Sequence, residues 1–232
     1  MNPRTTVPCV AGLVLGAVML ATRQARAEGP KLLVFVQTAV KQRALQAMLQ
    51  GALPGLTVST VGRVADFDRG LQEGQDAVLT LPIVLQAHNI TPQVRGHRGG
   101  ATDERYSLVG ADAPPVAAAV KTVGALDLLG RDATNAFVQG LVGNHVKVER
   151  VTKVEDLLPL LQMQRADAVL LPSRMFGELK ASSSLNLAQA ELPQGVGLPA
   201  VASVGAAGGP AVDAVRKLGG DVASVLGVDG WQ

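Results

Sequence analysis

The sequence predicts an α/β fold of two βαβ-rich lobes with a cleft between them. Three observations carry that expectation. A strand-helix-strand-helix-strand pattern occurs twice. Connecting segments read as further strands that lead out of the first copy and back. A hydrophobic content of 47% over 232 residues is enough to fill sizeable cores. The copies run from Lys31 to Pro82 and from Lys121 to Pro172, with starts 90 residues apart. Their closing strands, Asp76-Ala77-Val78-Leu79 and Asp167-Ala168-Val169-Leu170, lie 91 apart, so one inserted residue reconciles them.

At the N-terminus, Arg4 precedes the apolar run Val10–Ala21, and Ala25-Arg26-Ala27 sets small residues at −3 and −1 of a cleavage site. Residues 1–27 are therefore expected to be a signal peptide cleaved near Ala27. The alternative is an uncleaved anchor, for which the run is short beside the roughly 20 apolar residues of a spanning helix. In the first copy, Leu32–Val36 suits a strand buried on both faces. Val40, Ala44, Met48 and Ala52 recur every four residues beside Leu45 and Leu49, which gives a helix one apolar stripe. Leu56–Val61, Val64–Glu73 and Asp76–Leu79 follow as strand, helix and strand.

The segment His88–Val109 reads as a turn-rich hairpin, with Gln93–Gly96 and Arg105–Val109 flanking HRGGATDE. The second copy has strands at Thr122–Leu126, Val146–Val151 and Asp167–Leu171, with helices near Ala133–Val142 and Lys153–Gln164. Thr152 and Glu155 fit a capping box. Pro159 lacks a backbone donor and predicts a kink or restart in the last helix. Leu185–Ala190 and Leu198–Val204 read as strands returning to the first lobe, and Pro210–Leu226 as a closing helix. Strands alternating with helices imply parallel sheets with right-handed crossovers; one sheet holding both copies is the alternative to two lobes. Lobe 1 is expected over 28–112 and 188–232, and lobe 2 over 113–187. The crossings then fall near Ala111–Lys121 and Ala181–Leu187.

Charge and cysteine usage exclude several classes. Losing Arg4, Arg23 and Arg26 with the signal takes Lys and Arg from 21 to 18 against 19 Asp and Glu, a net charge of about −1. No basic cluster remains to bind nucleic acid. The only cysteine, Cys9, precedes the apolar run, so the mature chain has no disulfide, thiolate metal site or cysteine nucleophile. His88, His97 and His145 bring no converging set of metal ligands. G-x-S-x-G, H-E-x-x-H and P-loop motifs are absent, so an enzyme is not expected, and no cofactor is implied.

Three stretches carry a family resemblance: YSLVGADAPP (Tyr106–Pro115), KTVGALDLLGRDATNAF (Lys121–Phe137), and RVTKVEDLLPLL with ADAVLLPSRMF (Arg150–Leu161, Ala166–Phe176). With the two lobes and the signal, the chain resembles the type II periplasmic binding proteins, and within them the phosphate/phosphonate-type proteins of ABC transporters. The resemblance implies a periplasmic or secreted protein that captures a small, anionic ligand such as phosphate or phosphonate. It also implies an inner-membrane permease as partner. A second function stays open: a sensory or protein-interaction domain without a transport role, which the apolar cleft rim (Leu81, Leu128, Leu129, Pro172) favours.

Ligands of open α/β sheets bind beyond the carboxyl ends of the strands. Those ends hold Gln37 and Thr38, Asp127–Asn135, Thr80, and Ser173 with Arg174; the most polar of them is GRDATN, with Arg131, Asp132, Thr134 and Asn135. If Asp132 caps the helix, the free amides and Arg131 could hold an anion, aided by Ser173 and Arg174. The plainer alternative leaves Asp132 as a cap and both arginines in solvent.

Overall fold

The computed structural model describes residues 29–232, so the expected signal peptide lies outside the described residues. Each copy of the repeat folds as predicted. In the first, β1 (Lys31–Phe35), α1 (Gln42–Ala52), β2 (Thr57–Thr60), α2 (Val64–Gln72) and β3 (Ala77–Thr80) place β1 between two parallel neighbours. After α3 (Pro82–Ala87) come β4 (Val94–His97) and β5 (Asp103–Ala111). In the second copy, β6 (Thr122–Leu126), α4 (Arg131–Val142), β7 (Lys147–Val151), α5 (Leu157–Gln162) and β8 (Ala168–Pro172) repeat the arrangement. The chain ends with α6 (Phe176–Ala181), β9 (Leu187–Gly197), β10 (Ala200–Ser203), α7 (Gly208–Arg216), α8 (Gly220–Val225) and β11 (Gly230–Trp231).

The strands form two sheets, ordered β11-β4-β10-β3-β1-β2 and β7-β6-β8-β5-β9. In each sheet the three strands of one repeat copy stand in the same spatial order, and an antiparallel strand closes against the third. Alternation along the strands loads both faces. Leu32 and Val34 join the core under α1, α7 and α8, while Leu33 and Phe35 join the opposite core with α2 and α3. In the second sheet, Tyr106 and Leu108 pack with Val138 of α4, and Val109 packs with the leucines of α5.

Sheet membership moves the crossings. β4 lies in the first sheet and β5 in the second, so the expected hairpin is instead the first crossing, at residues 98–102. The second is Leu198-Pro199, between β9 and β10. The amide of Leu198 donates to the carbonyl of Thr102 at 2.9 Å, which ties the crossings side by side. Strands 103–111 and 187–197 thus belong to the second sheet, not to lobe 1 and the linkers. The reason is burial: Tyr106 to Gly110 are all buried, and they pair with both β8 and β9.

Three local expectations are corrected. Gly130, not Asp132, caps α4; its φ of 80° suits glycine, and Asp132 lies exposed in the first turn. The Thr152/Glu155 box forms no side-chain cap; a 3-10 turn over Val154–Asp156 precedes α5. That break puts Pro159 in the first turn of α5, where a missing N–H costs no helical bond. The closing helix divides into α7 and α8 at Gly219-Gly220. Among the described residues no helix is long and apolar enough to cross a membrane.

Candidate functional site

The carboxyl ends of β1 and β6, with the segments entering α2 and α5, line a cleft of about 520 Å³ between the lobes. Its deepest walls are apolar: Phe35 and Leu45 from the first lobe, Leu126 and Leu128 from the second, each under 10% exposed. Charges of both signs also line it. The first lobe supplies Lys41, Arg63 and Asp66, and the second Asp127, Lys153 and Glu155. Arg63 and Lys153 stand 90 positions apart, at equivalent places in the repeat.

Several charges have partners. Arg63 binds Asp66 through Nε at 2.7 Å, and that contact holds the Asp66 carboxyl below the usual carboxylate range. Asp127 accepts from Arg150 at 2.7 Å and from the Thr134 hydroxyl at 3.0 Å. Thr134 accepts in turn from the amide of Leu129 at 2.9 Å, so this buried threonine fixes the turn between β6 and α4.

Beneath the cleft a polar chain joins the lobes. Gln37, which follows β1, accepts at Oε1 from the Tyr106 hydroxyl at 2.6 Å. Its backbone carbonyl accepts from Nη2 of Arg174 at 3.3 Å. Arg174 is held by Glu104 at 3.0 Å, with both side chains nearly buried. Gly227 of the first lobe lies against the guanidinium; a Cβ there would stand 2.7 Å from Cζ. Burial pushes the Glu104 carboxyl up, and the charge and hydrogen bonds of Arg174 offset only part of that shift. Burial likewise holds the Tyr106 phenol far above its ordinary value.

The residues expected from sequence therefore separate. Gln37 and Thr38 line the cleft. Thr80 is buried in mid-sheet, its hydroxyl without a hydrogen-bond partner among the described residues, and Oδ1 of Asn135 is likewise buried and unpartnered. Thr134 supports Asp127. Arg131 and Asp132 are exposed and do not line the cleft, so the anion cradle at the α4 N-terminus is not assembled. Ser173 pairs with Ser107 at 2.7 Å, and Arg174 is neutralised by Glu104. Sequence reasoning set Asp127 at a strand end, as the counterpart of Gln37 in the repeat, without counting it among the site residues, and it passed over Tyr106 as a site residue and the charged rim. Tyr106 is the chain's single tyrosine.

The histidines serve separate contacts. Nε2 of His88 meets Asp68 at 3.2 Å, Nε2 of His145 meets the Ala117 carbonyl at 3.2 Å, and His97 lies against Gly230.

No protein-family model matches the sequence, and comparison with curated proteins finds no match. Solved structures do match. The VFT2 domain of Bordetella pertussis BvgS aligns with a TM-score of 0.60 at 16% identity, over 85% of this chain and 91% of its own. A periplasmic binding protein of an arginine transport system from Legionella pneumophila aligns at 0.53 and 11% identity, over 85% and 92%. The GluR0 ligand-binding core from Nostoc punctiforme, in complex with L-glutamate, aligns at 0.54 and 13%, over 80% and 91%. The likeness at these identities is one of fold: the chain has the two-lobed architecture of the type II periplasmic binding proteins. None of the three is described as a phosphate or phosphonate binder, and the narrower resemblance drawn from the sequence is not supported.

Proposed function

We propose that the chain is an exported binding module that holds an amino acid in the cleft between its lobes. The observation that carries this reading is the lining: acids and bases from both lobes around an apolar interior, in a volume of about 520 Å³. Small-ligand sites combine apolar walls with a few placed polar groups in just this size range, roughly 300–1,000 Å³. An α-amino acid presents an ammonium and a carboxylate one carbon apart, and such a rim offers partners for both. The structures of like fold add support, since one holds L-glutamate and another belongs to an arginine transport system. In this reading the protein works in the periplasm after losing residues 1–27, and an inner-membrane permease receives the ligand.

A thermal-shift screen against the twenty L-amino acids, phosphate, phosphonates and sulfate tests it. A ligand at 100 times its Kd adds about 2.7 kcal/mol to a native state that alone binds it. For a chain of this size that raises Tm by roughly 5–10 °C. A saturable shift with one or a few amino acids is expected. A shift with phosphate alone would sink the amino-acid reading.

A sensory or interaction domain is the second reading, and one observation favours it. Leu126 and Leu128 of the second lobe share a core with Leu33, Phe35 and Phe67 of the first, so apolar packing within the chain itself joins the lobes. In that case small-angle scattering would give the same radius of gyration with and without a saturating ligand.

A further inference from the structure

The cleft contains one buried polar side chain, Gln37, which is 6% exposed among Phe35, Leu45, Leu126 and Leu128. Which end of its amide faces the cleft decides what it can bind, and the neighbouring bonds decide that. A tyrosine hydroxyl sealed from water needs an acceptor for its proton. Tyr106 is 1% exposed, and its hydroxyl meets one protein group among the described residues, Oε1 of Gln37 at 2.6 Å. Burial keeps the phenol protonated, so it acts as the donor. A flipped amide would set the two N–H bonds of Nε2 against the phenol and leave the phenol proton without an acceptor.

With Oε1 occupied, Gln37 presents Nε2 and its two N–H donors. Nε2 donates to no protein group among the described residues. The backbone of Gln37 cannot easily turn away, because Nη2 of Arg174 holds its carbonyl and Glu104 holds Arg174.

We propose that Gln37 is a ligand-contacting residue whose Nε2 donates to a carboxylate oxygen of the bound molecule, and that Tyr106 is the positioning residue that sets the amide for this task. The inference rests on the amino-acid reading of the cleft and adds to it an orientation: the carboxylate points inward to Gln37, while the remainder of the ligand reaches the charged rim. Recognition then selects for an acceptor at the floor. A ligand that lacks one leaves Nε2 buried and unpaired, which is the stronger part of the discrimination.

The test uses calorimetric titration of the purified protein with the amino acids that score in the screen, and with the primary amines that lack only their carboxylate. Wild-type protein is expected to bind the acid about ten- to a hundredfold more tightly than the amine, the range of a hydrogen bond to a charged group. Gln37→Glu keeps an acceptor for Tyr106 but turns a carboxylate toward the ligand, and it is expected to abolish that preference. Tyr106→Phe frees the amide to flip and is expected to reduce the preference several-fold; a purely structural loss would weaken acid and amine alike. An unchanged acid-to-amine ratio in Gln37→Glu overturns the role of Gln37 and leaves the amino-acid reading standing. No binding of any amino acid to the wild type overturns both.

Discussion

Arg174 is expected from sequence to meet a ligand, yet the fold turns it inward onto Glu104 and the Gln37 carbonyl. Removing one partner of such a buried pair leaves the other uncompensated, so Arg174→Ala should cost about 3–5 kcal/mol in urea denaturation. Glu104→Gln keeps an acceptor and should cost about 1–3 kcal/mol. The pair also has a pH signature. Burial raises the folded pKa of Glu104 above its unfolded value. Between those values the folded protein keeps a proton that the unfolded chain has released, so this group makes stability fall as pH rises across that window. Stability measured from pH 4 upward should therefore decline with pH in the wild type relative to Glu104→Gln. The opposite slope would mean that the Arg174 charge outweighs burial.

At the scale of elements, each repeat copy opens with a strand anchored by the aspartate that immediately precedes its last strand. Asp76 accepts from the amide of Lys31 at 2.9 Å, and Asp167 from those of Lys121 and Thr122 at 2.9 and 2.8 Å. Asp76 also takes the amide of Ala207 at 3.2 Å, which ties the entry of α7 to the sheet. Asp76→Ala and Asp167→Ala should each lower stability by about 1–3 kcal/mol, as carboxylate-to-amide bonds do. Hydrogen exchange should place the loss in β1 for Asp76→Ala and in β6 for Asp167→Ala. Equal protection across both lobes in each variant would contradict two separately anchored repeats. The glycine at the α4 cap belongs to the same scale. A residue able to hold φ of 80° starts the helix there, and the exposed Asp132 is left to favour its positive end.

For the whole molecule, the shared core decides whether the lobes stand open or closed. Leu128 is 4% exposed, although it belongs to the second lobe and packs with the first. Burying such a side chain contributes about 1.5–3 kcal/mol. Each lobe also has cores of its own, so Leu128→Asp should part the lobes without unfolding either. The expected outcome is a larger radius of gyration by small-angle scattering with an unchanged far-ultraviolet circular dichroism spectrum. A variant that unfolds in one step, with no open intermediate form, would show that the lobes depend on each other for folding.

The repeat copies, the succession of strands and helices within each copy, and the carboxyl-end positions of Gln37 and Thr38 were all legible from hydrophobic period and spacing, because those signals are local. The crossings were not. Asp103–Ala111 and Leu187–Gly197 carry strand propensity that fits either sheet, and only the pairing of the first with β8, and of the second with the first, settles their membership. Helix starts failed for a more local reason: Asp132 and Thr152 are both good caps by type, but Gly130 at φ 80° and the Thr134 hydroxyl set the turn before α4, and a 3-10 turn over Val154–Asp156 precedes α5. The site divides the same way. Sequence determined which polar residues end the strands, whereas tertiary structure decided which of them face the cleft. It paired Arg174 with Glu104 and Ser173 with Ser107, left Arg131 in solvent, and set Gln37 under Tyr106 from a strand 69 residues away. A side chain's chemistry is written in its type, but its partner is chosen by the packing of distant strands.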